Sequence, residues 1–565
     1  MSNEKTLVGY EPIFAVHCPN QYDPANDLHV IKVNAHFSDG SSEPKLLHKK
    51  GFKRPYYITK RKYQDHKEKK IYERLEKLDR FECTQSELVD QVARKLGRHG
   101  RVSLRQLGDS PYLYGTDILS TSVLVHQLRR KYAKANEVAS RRSLAVLDIE
   151  WSVSKPIQEM TLICLSMNNR MFVGVHADLV AGYHNPLVQL RSALNEYIGE
   201  LLAERGTSAE DVDIEICADE VEMLKAFAAR AHAWRPDFIG VWSITAEFDK
   251  FMDIAERYGI DLGDIFSDPS VPPEHRFFKF KRGRNKHISK AKRSTSLRLE
   301  KQWHTVFVPA SFYFICMMST YTFVRQGQPA LKASLEATLN RHLKLGKLKL
   351  PEASEYTGAE WHIYMEKNHP FAYAAYCLVD CIRPEQLDET TGDVGVSLPT
   401  LAGISDFSIF NSNPKTLVDE LTVKLVKSHK VVMASTPDKK YDPFKGRTID
   451  QRCIIVTLDT SLRTREGWAC VEELPNYKTN VYAYTLDCDL TTAYPGVEDQ
   501  TNMCGETTYR EVLAIHGVTE QSRREQGINL AASAQNNAVE ISQAWFNAPS
   551  MLDVLAAFKK DHEMA

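Results

Sequence analysis

Carboxylates recur in this chain at spacings that suit the binding of a divalent metal. In SLAVLDIEW, Asp148 and Glu150 stand at i and i+2, so an extended strand directs both to one face. The apolar residues before them bury the strand and leave the pair at its exposed carboxyl end, where open α/β sheets hold their ligands. VDIEI carries a second copy, Asp213 and Glu215, which a solvated strand face accounts for. AEFDKF sets Asp249 after Phe248 at the start of an amphipathic helix, and YCLVD sets Tyr376 and Asp380 four apart on a helix face. YTLDCDLTTAYPG places Asp487 and Asp489 at the end of an apolar β-like run, with a proline turn directly after. Magnesium takes oxygen ligands while keeping several waters, so a few such carboxylates suffice to hold it.

The elements that must position these acids follow from the apolar pattern. From about residue 140 strands alternate with helices in the α/β manner: SLAVLDIEW, MTLICLSM, RMFVGVHA, VDIEICA and DFIGVWSI as strands, 220–233, 247–258 and 370–381 as helices. Residues 1 to about 110 mix strands (LHVIKVNAHF, RPYYITKRKY) with a charged helix expected near Lys67 to Leu78. A loop-rich section spans about 393–450, strands return at RCIIVTLDT, GWACVEEL and NVYAYTLDCDL, and the last segments are helical. The longest nearly apolar run, Val306 to Met318, is too short to span a bilayer as a helix and reads as a buried strand running into a helix.

At 565 residues and 43% hydrophobic content the chain can bury large cores. A formal net charge of −1 confines any affinity for nucleic acid to local basic patches. Eleven cysteines without a CxxC pair argue against a zinc ribbon or a secreted disulfide framework, and Cys377 with Cys381 reads as two small buried residues on one helix. The opening MSNEKTLVGY lacks the basic-then-apolar pattern of a signal peptide. A reducing cytoplasm is the expected location.

Taken in order, Asp148 with Glu150, Asp249, and Tyr376 with Asp380 resemble the three exonuclease motifs of family B DNA polymerases: D-x-E, N-x-x-x-F-D and Y-x-x-x-D. Asp213 makes a poor first motif, because only 36 residues separate it from Asp249 where Asp148 leaves 101. SLEATLNRHLKLGKLKL is similar to the segment before the third motif in phage members. Ile244 stands where that family has asparagine. The resemblance implies a ribonuclease H-like 3′–5′ exonuclease domain with two Mg2+ ions on Asp148, Glu150, Asp249 and Asp380, and Tyr376 orienting the attacking water.

DLTTAYPGVEDQTNMCGET is similar to palm motif A of the same family and its continuation, with Asp489, Tyr494, Pro495, Asn502, Glu506 and Thr507 in register. Ala493 and the Glu498–Asp499 pair depart from it. The resemblance implies that Asp489 binds catalytic magnesium and that Tyr494 stacks under the incoming sugar and excludes a 2′-hydroxyl. Neither a D-T-D hairpin nor a K-x-x-x-N-S-x-Y-G helix occurs between Asp489 and Ala565. The chain therefore resembles the N-terminal half of a split polymerase like those of giant tailed phages, acting in the cytoplasm of an infected bacterium.

The implied fold class is α/β and α+β multidomain: an N-terminal domain over 1–115, rejoined by about 393–455, an exonuclease domain over 116–392, and an incomplete palm over 456–565. The implied partners are primer–template DNA, dNTPs and a second polypeptide with fingers, remaining palm and thumb, which would share the polymerase-site ions; no membrane is expected. Lys279 to Lys301 holds ten Lys/Arg and one Glu. In that family a β-hairpin lies there, and a tip near Gly283 and Asn285 would present Arg282, Arg284 and Lys286 to phosphates. The alternatives are a stand-alone 3′–5′ exonuclease and a non-catalytic DNA-binding or assembly subunit.

Overall fold

The computed structural model describes residues 5–470 except 21, 68, 71, 137–140, 155–156, 284, 289–293, 299–301, 303, 326–331, 398–425, 428–429, 437–460 and 465–466. Two units divide the chain, Met1–Lys439 and Lys440–Ala565. Asp487, Asp489 and Tyr494, with the rest of the expected palm motif, lie outside the described residues.

The first unit opens with β1 (Leu7–Cys18), β2 (Leu28–Phe37) and β3 (Ser42–Lys50), an antiparallel meander in sheet order β1-β2-β3. Next come β4 (Arg54–Thr59), β5 (Tyr72–Arg74), β6 (Leu78–Cys83) and β7 (Leu113–Tyr114), with α1 (Leu88–Lys95), α2 (Leu104–Gly108) and α3 (Ser120–Lys131). The helix expected near Lys67 to Leu78 is replaced by β5, a short 3-10 turn and the start of β6. Here tertiary pairing overrides a charged, helix-compatible composition, because β5 pairs with β18 (Val431–Met433). Ser435 and Thr436 then bond to Thr116 and Asp117. The returning segment is thereby stitched to the N-terminal part of the unit.

The next stretch builds β8 (Leu144–Trp151), β9 (Met160–Met167), β10 (Arg170–His176), α4 (Pro186–Glu204), β11 (Asp213–Cys217), α5 (Glu220–Trp234), β12 (Phe238–Val241), α6 (Ile244–Tyr258) and α7 (Leu262–Phe266). Beyond them lie β13 (Lys279–Lys281), β14 (Lys286–Ile288), β15 (Ser294–Ser296), β16 (Thr305–Phe307), β17 (Tyr313–Cys316), α8 (Met317–Val324), α9 (Leu335–His342), α10 (Gly358–Asn368) and α11 (Pro370–Thr391). Six strands make one sheet in the order β11-β10-β9-β8-β12-β17, in which β9 alone runs against the others. The long apolar run expected as one strand and a helix is β16, β17 and the start of α8.

Strand alternation sorts β8 between two cores. Leu144 and Val146 face the core shared with α4 and α11, while Ala145, Leu147 and Ile149 face the core shared with α5 and α6. Residues of β1 and β2, among them Phe14 and Val30, join the first core, so the meander packs onto the sheet domain. Lys32 reinforces that junction: its buried ammonium donates to the carbonyl oxygens of Arg235 and Ser311, each at 2.8 Å. Burial lowers its pKa to about 8, against the pull of Asp237.

The basic segment forms a ribbon in which β13 pairs with β16 and β14 with β15. Gly283 and Asn285 lie between β13 and β14, strands that pair with β16 and β15 and not with each other, instead of at the expected tip. In the second unit, β19 (Ser461–Thr464) and β20 (Gly467–Cys470) form an antiparallel pair.

Candidate metal centre

Asp148 and Glu150 alternate onto the face of β8 that α11 crosses. A register irregularity follows immediately between Glu150 and Trp151, a break of the kind that re-aims side chains beside functional sites. On α11, Tyr373, Tyr376, Cys377 and Asp380 form one stripe at helical spacing, and all are buried. The stripe meets β8, where Cys377 Sγ lies 3.8 Å from Asp148 Oδ2. Carboxylate oxygens of Asp148, Glu150 and Asp380 come within 4.8 Å of one another. Asp148 is half-buried, and Glu150 lies beneath the helix instead of at an exposed strand end.

Polar neighbours hold each acid. The Tyr373 hydroxyl donates to Glu150 Oε2 at 2.7 Å, and Nδ1 of His362 lies 2.8 Å from that hydroxyl. Lys347, after α9, reaches in from the side, and its ammonium lies 2.5 Å from Asp380 Oδ2 and 2.9 Å from the Tyr376 hydroxyl. Glu336 secures the Lys347 backbone by accepting its N–H at 2.6 Å. A Cβ added at Gly346 would stand 2.5 Å from Glu336 Oε1, so a larger residue there would displace that carboxylate.

The electrostatics are those of a crowded acidic site. Burial, then the charges of Asp380, Glu150 and Glu247, push Asp148 well above the usual carboxylate range. Burial likewise raises Glu150, against the Tyr373 hydrogen bond, and raises Asp380, against the pull of Lys347. For Lys347 the balance reverses: burial alone would lower it, but Asp380, Tyr376 and Asp148 raise it overall. Asp380 Oδ1 is buried and has no hydrogen-bond partner. Three converging carboxylates, one with an unclaimed oxygen, match the donor set of a hard divalent cation. A bound cation would lower those pKa values and release protons.

The structure thus gathers Asp148, Glu150, Asp380 and Tyr376. Asp249, expected as the fourth ligand, stands elsewhere: it is half-exposed on α6 and pairs with Arg282 at 2.5 Å. Arg282, expected at DNA, is accordingly engaged with that carboxylate. Lys286 is exposed on β14, and Arg284 lies outside the described residues. Asp213 and Glu215 lie on the edge strand β11, both paired with Arg230.

Three neighbours escaped the sequence reading. Lys347 lies within the GKLKL segment already singled out, Tyr373 three residues before Tyr376, about one helical turn, and Glu247 two residues before Asp249. Among the described residues, no helix is long and apolar enough to cross a membrane. No protein-family model matches the chain, and no curated protein matches it.

Proposed function

We propose that this chain is the proofreading subunit of a family B DNA-directed DNA polymerase and hydrolyses DNA from the 3′ end at the centre formed by Asp148, Glu150 and Asp380. The convergence of those three carboxylates within 4.8 Å carries the reading. Counted from β8, the strand order 3-2-1-4-5, with only the second strand reversed and β11 added at the edge, supports a ribonuclease H-like domain.

In this reading Asp148, Glu150 and Asp380 hold magnesium, which when bound supplies an activated water and neutralises the departing oxygen. The protein's own part is positioning. Tyr373 fixes the Glu150 carboxylate, Lys347 offsets the negative charge and holds Asp380, and the Tyr376 hydroxyl is placed to orient water. The basic ribbon, through Lys286, contributes phosphate contacts. Asp489 and Tyr494 contribute motif A of the polymerase site on the strength of the residue match, and the rest of that site is supplied from outside these 565 residues.

Asp148→Asn with Glu150→Gln should lower magnesium-dependent degradation of single-stranded DNA by about 10³-fold, since losing a metal costs several kcal/mol and each 1.36 is tenfold. Asp213→Ala should leave it unchanged, because Asp213 is tied to Arg230 on the far edge of the sheet. Equal losses at both places would sink the assignment.

A further inference from the structure

We infer that Glu247, and not Asp249, supplies the fourth carboxylate of this centre, as a ligand for a second hard divalent cation such as Mg2+ or Mn2+. The inference rests on the hydrolytic reading above and changes its ligand set.

Topology brings Glu247 to the site. β12 runs parallel to β8 with Val241 opposite Leu147, so the chain leaving β12 turns into α6 at the sheet edge where Asp148 and Glu150 continue β8. Glu247 is in the first turn of that helix. At 3.6 residues per turn, positions 247 and 249 point roughly 200° apart, so one helix cannot aim both at one cluster.

Burial selects between them. Ile244, Glu247, Phe248, Phe251 and Ile254 form the buried stripe of α6, and Glu247 is 6% exposed. Asp249, by contrast, has a side chain 42% exposed, and its buried Oδ1 is claimed by Arg282 at 2.5 Å.

Glu247 occupies a position where an apolar side chain would serve the fold better. Its Oε2 is buried and without a hydrogen-bond partner, an arrangement that is costly unless a cation completes it. Burial raises its pKa to about 8, with a further push from Glu150, and its charge in turn raises Asp148. Asp380 Oδ1 on α11 and Glu247 Oε2 on α6 are both buried with no hydrogen-bond partner.

The test is a Mn2+ titration of the full chain followed by electron paramagnetic resonance, which counts bound ions without reference to activity. Wild type should take up two ions. Glu247→Gln should take up one, with the affinity of the remaining site changed by less than about threefold, and Asp249→Asn should keep two. Two ions in Glu247→Gln, or one in Asp249→Asn, would overturn the inference. Mn2+ uptake untouched by Asp148→Asn would overturn the underlying reading as well, which separates the two failures. Thermal melting of the metal-free variants checks folding, and Glu247→Met, suited to an apolar stripe, repeats the count if the glutamine variant does not fold.

Discussion

Lys347 bonds directly to the acid cluster, and removing it gives a quantitative test of the electrostatics. In Lys347→Met the stem keeps its length, but Asp380 loses a contact of 2.5 Å and Tyr376 one of 2.9 Å. Breaking a buried ion pair by deleting one partner costs about 3–5 kcal/mol. The Lys347 side chain is 32% exposed and Asp380 only 3%, so solvent screening reduces the expected loss to about 2–3 kcal/mol at pH 8. Without the cation the folded-state pKa values of the acids rise further above their unfolded values. The loss must therefore grow as pH rises through the folded values and shrink at pH 6, where the cluster retains a proton. Unfolding entropy of roughly 2 cal/mol/K per residue makes this a drop of about 2–3 °C for the unit Met1–Lys439. The assay is thermal denaturation of metal-free wild type and variant at pH 6 and pH 8, repeated with Mg2+. A divalent cation should recover most of the loss at pH 8 and raise the melting temperature of the variant more than that of wild type. An equal loss at both pH values, indifferent to Mg2+, would refute the argument.

Two further expectations concern the same centre. Tyr373→Phe removes the donor to Glu150, a hydrogen bond to a charged group worth about 1.5–3 kcal/mol, and should lower DNA hydrolysis by roughly 10–100-fold while raising the Mg2+ concentration for half-maximal activity; an unchanged Mg2+ dependence would reject the positioning role. Metal-free wild type should lose stability between pH 6.5 and 8, because Glu247, raised by burial from 4.5 to about 8, keeps a proton in the folded state that the unfolded chain releases. The slope is at most about 1.36 kcal/mol per pH unit per group, and Mg2+ should flatten it. His29 and His232, lowered by burial to about 3 and about 4, act in the opposite sense below about pH 6.5, and Lys32 and Lys69, lowered to about 8, do so towards pH 8, so the difference between wild type and Glu247→Gln isolates the carboxylate.

Local pattern was enough to find much of this protein. The alternation in SLAVLDIEW dictates which side chains of β8 share a face, and the spacing of Tyr376 and Asp380 dictates that they share one on α11. The strands of the central sheet fall where the apolar runs do. Pattern could not tell the first acid pair from the second, since Asp213–Glu215 and Asp148–Glu150 have the same period; the difference lies in neighbours, Arg230 at a sheet edge against α11 over the middle.

Pattern also misjudged residues 67–78, whose conformation depends on a strand more than 350 positions further on. The exposure of the acids on α6 was decided in the same way. In AEFDKF both Glu247 and Asp249 are plausible ligands, and only the rotation of α6, set by packing Ile244, Phe248, Phe251 and Ile254 into the core, buries one and turns the other toward Arg282. Lys347 was invisible for a related reason: a lysine in a loop becomes the counter-ion of a buried carboxylate only when distant segments meet, and sequence spacing records no such meeting.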